Sequence, residues 1–167
     1  MQKQHLQLIA RLEASAVEVA VASKSVTAAQ LKRVPREGEW SLHQALSHLR
    51  DTEVQVFAYR AARILKETEP PLVANFDQEE WMREHYVENE PLKKIVAEFR
   101  AARRKLVKLL RNIKDKDWTR YAIHPEYGKI SLEYIALHAY NHTLEHLRQL
   151  LDAQEENVLN AANGRLL

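Results

Sequence analysis

The chain has 167 residues, 46% of them apolar, and a formal net charge of +2. That size fits one domain, residues 1–167, with a core of its own, and the mixed charge leaves no footprint for nucleic acid. The absence of cysteine excludes disulfides, thiolate metal ligands and a cysteine nucleophile. No uninterrupted apolar run is long enough to cross a bilayer, and the N-terminal stretch lacks the basic start and compact apolar core of a secretion signal. A cytoplasmic protein with no membrane partner is therefore expected. Three glycines and five prolines are few, so helices should dominate.

The first periodic segment runs from about Lys3 to Val21 and carries Leu6, Ile9, Ala10, Leu12, Ala16, Val17 and Ala20, the pattern of an amphipathic helix. A linker containing Pro35 and Gly38 follows. The second helix begins at Ser41, whose hydroxyl and the amide of Gln44 form a capping box. Trp40 precedes the cap, where it can staple against Ala45. Ala45, His48, Leu49, Thr52 and Val56 face inward, while His43 and Arg50 fall on the polar side. Pro70 and Pro71 stop this helix. The long connection beyond them reads as a crossover, with one or two turns capped by Asp77. From Pro91 to Asn112 a third helix carries the pattern Leu92, Ile95, Val96, Phe99, Ala102, Leu106, Leu109, Leu110 and Ile113. Its other face, with Lys93, Lys94, Arg100, Arg103, Arg104, Lys105 and Lys108, reads as solvated. Pro125 and Gly128 then turn the chain toward Ser131.

The last helix, Ser131 to Leu151, has Ser131 as its N-cap and a wide apolar arc. Leu137, Tyr140, Leu144 and Leu151 add a second flank, which fits a central helix or a homodimer seam. None of the four segments can bury its stripe alone. An all-α four-helix bundle with long crossover connections is the natural solution.

His142 and His146 stand one turn apart on the last helix, a spacing that lets two imidazoles share one metal ion. In a bundle the second helix can face the last, and His48 then supplies a third nitrogen. Three imidazoles leave one tetrahedral position open, as in catalytic zinc sites. The same three residues also read as core histidines satisfied by hydrogen bonds. Imidazole suits zinc and nickel, and iron or manganese also fit. Glu53 and Glu145 are available to orient the rings. His138 lies about 40° round the helix from His142 and reads as a flanking residue. His124, before Pro125, reads as a structural loop residue.

At this point the chain resembles the DinB-like, or DinB/YfiT-like, metalloenzymes. The resemblance rests on Gly38–Glu53, with Glu39-Trp40-Ser41 and His48, and on Asp117–Leu150. The latter stretch holds the turn from His124 to Gly128, the pair His142 and His146, and Gln149. It implies a four-helix bundle, often dimeric, with the metal on His48, His142 and His146. It further implies an activity that in some relatives is a thiol-dependent transfer or isomerisation using a low-molecular-weight thiol such as bacillithiol, mycothiol or glutathione. His138 is an addition to that pattern. Metal-assisted hydrolysis of a small-molecule substrate is the alternative chemistry, and a non-catalytic helical metal-binding or stress-response module is the alternative class.

Overall fold

The computed structural model describes the backbone of residues 1–163 and the side chains of residues 1–155. Four long helical arms form the bundle. The first is α1 (Lys3–Ala22). The second is α3 (Leu42–Thr52), which continues through a wide π turn at Glu53–Ala58 into α4 (Tyr59–Lys66). The third is α6 (Leu92–Arg111) and the fourth α7 (Leu132–Asn163). Two short helices sit in the connections: α2 (Ala28–Lys32) and α5 (Gln78–His85). Thr27 and Gln30 cap α2 with the same reciprocal box that opens α3, a signal already present in the linker.

Chain direction follows from which residues meet. Arg50 bonds Glu98 and Glu53 bonds Arg103, so the second and third arms run parallel. Leu12 meets Arg103 while Gln2 meets Asp115, so α1 and α6 are antiparallel. His48 faces His146 and Phe57 faces His142, which makes α3 and α7 antiparallel too. The first and fourth arms are parallel, with His5 beside Glu133 and Gln154 bonded to Ala22. Parallel neighbours cannot be joined by a tight turn. The stretch from Glu67 to Pro91 accordingly climbs back along the bundle, the crossover expected from its length.

The chain is not purely helical. Residues Tyr121–His124 (β1) and Gly128–Ser131 (β2) form an antiparallel hairpin with Tyr121 opposite Ser131 and His124 opposite Gly128. Gly128 has φ +65°, a left-handed conformation that suits the end of a three-residue hairpin loop. The crossover adds to this hairpin through Val73 N–H to Ile123 O at 3.0 Å and Ile123 N–H to Pro71 O at 2.9 Å. Ser131 caps α7, accepting from Tyr134 N–H at 3.1 Å.

The interior divides into two apolar clusters. One gathers Ile9, Leu12, Leu106, Leu110, Trp118 and Ile135. The other gathers Val19, Leu46, Leu49, Ile95, Phe99 and Leu150. Between them every arm contributes polar side chains at the same level: Ser15, Thr52 with Glu53, Arg103, and His142 with Thr143. Arg103 is 1% exposed and Glu53 is fully buried. Arg103 donates to both Glu53 oxygens at 2.7 and 2.8 Å, to Thr143 Oγ1 at 2.8 Å, and to the carbonyls of Leu12 and Ala139. The solvated face read from the sequence is therefore wrong at Arg103. It lies four residues after Phe99 and three before Leu106, inside the apolar stripe.

Candidate metal centre

The second and fourth arms meet where the polar layer reaches the side of the bundle. The capping box of Ser41 and Gln44 fixes the start of α3, and His48 follows two turns later. Ser131 does the same for α7, placing His142 and His146 in the third and fourth turns. His48 is 4% exposed and His146 is 7% exposed. The Nε2 atoms of these three residues converge. His142 Nε2 lies 3.1 Å from His48 Nε2 and 3.2 Å from His146 Nε2. All three residues offer a ligand nitrogen within 4.8 Å of the others.

That geometry suits an ion better than a hydrogen-bonded cluster. A tetrahedral centre with metal–nitrogen bonds of about 2.0–2.1 Å sets its ligand atoms about 3.3 Å apart. His146 Nδ1 lies 2.9 Å from Gln149 Oε1, and His48 Nδ1 lies 3.3 Å from Thr52 Oγ1. With its Nδ1 proton donated to Gln149, the His146 ring turns an unprotonated Nε2 inward, while Thr52 Oγ1 sits beside the His48 ring, 3.3 Å from Nδ1 and 3.4 Å from Nε2. His142 Nε2 stands within hydrogen-bond distance of two other ring nitrogens, and a single proton on it could serve only one of them. Its own Nδ1 is buried without a hydrogen-bond partner among the described residues.

Electrostatics act in the same direction. Burial, reinforced by His146, pushes His48 down to about 4. Burial first, and then the proximity of His146, His48, His138 and Arg103, pushes His142 down to about 2. Burial also lowers His146, against the opposing bond to Gln149 and the charge of Glu145. All three rings are neutral near pH 7, which is the form that ligates a metal.

The orienting groups differ from those expected. Glu53 has both oxygens on Arg103, and Glu145 is exposed and, among the described residues, makes no hydrogen bond to a ring. Gln149 holds the His146 ring instead, and Thr52 packs beside that of His48. His138 stays outside the triad. It is exposed, its ring is 6.5 Å from that of His142, and it meets Phe57 edge-on. His124 is buried in the hairpin, where its Nδ1 accepts from the N–H groups of Glu126 and Tyr127, so it shapes the turn. His43 corrects the sequence reading. It is buried, with Nδ1 2.8 Å from Tyr86 Oη and Nε2 2.8 Å from the Glu90 carbonyl, and it anchors the end of the crossover. The partners of His43 lie more than forty residues away, so no local pattern could reveal them.

Of the three histidines, His146 lines a cavity of about 540 Å³. His146 and Gln149 form one wall and Trp40, whose ring is 4.9 Å from that of His48, forms another. Glu39, Glu79 and Asp152 stand round it. The volume is that of a small-molecule site.

Comparison with known proteins agrees with this architecture. The model of the DinB superfamily matches residues 11–150. The chain belongs to the DinB superfamily. A curated relative from Oceanobacillus iheyensis, provisionally named a metal-dependent hydrolase, is 31% identical over 124 residues, covering 72% of this chain and 70% of that protein. YfiT from Bacillus subtilis shares the fold with a TM-score of 0.82 at 23% identity, over 93% of this chain and 89% of YfiT. It is described as having an unusual four-helix bundle topology and, provisionally, as a metal-dependent hydrolase. TT2238, a four-helix bundle protein, matches with a TM-score of 0.56 at 18% identity, over 89% of this chain and 98% of its own. The names of the Oceanobacillus iheyensis relative and of YfiT include metal dependence, and that of TT2238 does not.

Proposed function

We propose that this DinB-superfamily chain is a divalent-metal-dependent enzyme that hydrolyses a small-molecule substrate, with His48, His142 and His146 as the metal ligands. The observation that carries the reading is the convergence of three neutral Nε2 atoms beside an open cavity. A bound divalent ion supplies a water of lowered pKa and a Lewis acid for a substrate oxygen. The protein's part is to hold the rings and shape the space. Gln149 fixes the His146 imidazole, and Thr52 packs beside that of His48. Trp40 walls off the side of His48 from bulk water. Zinc and nickel suit an all-imidazole set, and iron or manganese are further candidates.

The thiol-dependent transfer implied by the family resemblance would use the same ion and cavity. A panel of ester, amide and alkyl-halide substrates, assayed with and without a low-molecular-weight thiol, separates the two. Turnover that needs metal but no thiol supports hydrolysis. Turnover only with thiol replaces it with transfer. Stoichiometric metal with no turnover on any arm, together with lower stability on metal removal, would leave a structural metal module.

A homodimer is part of the same proposal. Leu137, Leu144 and Leu151 recur every seven residues on α7 and are 47%, 37% and 45% exposed. Leu6, Val17 and Val21 on the adjacent, parallel α1 are 55%, 47% and 58% exposed. An apolar face across two helices supports burial against a second copy.

A further inference from the structure

On the opposite side of the bundle from that apolar face, the parallel second and third arms do not close on each other. A groove of about 880 Å³ runs between them, larger than the cavity at the histidines. Its floor explains the gap. Ala58 and Ala62 on the second arm face Ala102 on the third, and side chains this small leave space that Leu109 and Ile113 continue toward the hairpin end. From Val54 to Leu65 the groove follows the helix for about 16 Å at 1.5 Å per residue.

The rim has the opposite character. Lys105, Lys108 and Lys114 border the groove, and none pairs with a carboxylate among the described residues. Two acids, Glu98 and Asp117, also line the groove. Glu98 pairs with Arg50 and Lys94, and Asp117 accepts from the Lys114 N–H. Arg120 is also engaged, donating to the carbonyls of Leu65 and Glu67. The groove therefore combines an apolar floor with a rim on which Lys105, Lys108, Lys114 and Arg120 outnumber Glu98 and Asp117.

We infer that this groove binds an amphiphilic anion, a molecule with an alkyl or aromatic body on the alanine floor and one carboxylate or phosphate head among Lys105, Lys108 and Lys114. Its elongated volume suits a single medium-length chain, within the range of small-molecule sites. The lysine ammonium groups recognise the head as point charges, so binding weakens as salt screens them.

The test is calorimetric titration of the metal-loaded full chain with decanoate below its micellar concentration. Decanol and decyltrimethylammonium serve as neutral and cationic controls of equal length. Decanoate should bind one to one. It should bind about five- to tenfold more weakly to Lys105→Ala/Lys108→Ala, as two exposed charges are removed. Binding should be lost in Ala62→Phe, which fills the floor, with circular dichroism confirming that each variant folds. Equal binding of the three amphiphiles, or unchanged decanoate affinity in the lysine variant, would overturn the inference. So would sedimentation showing a dimer that Ala62→Phe dissociates, because the groove would then be an interface between copies. No arm reads turnover, so the result is independent of the histidine site.

Discussion

Replacing Arg103 by methionine should be among the most damaging single changes in this chain. Methionine keeps much of the apolar stem but removes five donors. Glu53, with no exposed surface, would lose both charge-assisted bonds, and the Leu12 and Ala139 carbonyls and Thr143 Oγ1 would each lose a donor. Leaving one member of a buried ion pair alone costs about 3–5 kcal/mol. Against a total stability of about 5–15 kcal/mol for a domain, that is a third or more in most of the range. Arg103→Lys keeps the charge but not the planar fork that spans both Glu53 oxygens, so it should fall between wild type and methionine. The decisive variant is Glu53→Met/Arg103→Met. With no charge left to strand, it should be more stable than either single replacement. Urea unfolding followed by circular dichroism gives the four corners of the cycle. If Arg103→Met costs less than about 1 kcal/mol, or the double variant loses the sum of the singles, the pair is not the buried, mutually dependent unit described here.

Calorimetric titration with zinc or nickel should show His48→Ala losing affinity as sharply as His142→Ala or His146→Ala, because two imidazoles make a poor site, while His138→Ala changes little. A large loss in His138→Ala would mean a different ligand set. His43→Ala should leave metal affinity near wild type but destabilise the fold by about 1–3 kcal/mol, since the buried Tyr86 and Glu90 bonds are lost; unfolding in urea checks this. In the metal-free protein the triad makes stability fall on acidification. The folded values of His48, His142 and His146 lie below the unfolded value of 6.5, so below pH 6.5 the unfolded chain binds more protons. The contribution is fully present above pH 6.5 and declines below it, that of His48 down to about 4; flat stability from pH 7 to 4.5 would contradict it. Leu144→Glu should give a monomer in sedimentation at micromolar concentration if a second copy covers the α7 face, and a wild-type monomer would remove that proposal.

Much of the bundle was legible because its signals are local. The 3.6-residue recurrence of apolar side chains marks all four arms, and Ser41, Asp77 and Ser131 each cap the helix that follows them. The histidines were legible for the same reason. A spacing of four puts His142 and His146 on one side of a helix, and His48 falls in the inward register of another. Other features depend on what lies across the bundle. Arg103 looked like one more member of a basic face, although its position between Phe99 and Leu106, matched by Glu53 four residues after Leu49, carried the signal of a buried pair. His43 is buried by a crossover whose path no local pattern dictates. The π turn at Glu53–Ala58 and the pairing of Tyr121–His124 with Gly128–Ser131 likewise appear only once the arms pack. Sequence specified which side of each helix turns inward, because that follows from the period of the chain. Tertiary structure decided which inward groups meet, because parallel or antiparallel packing of the arms sets the level at which each polar side chain finds its partner.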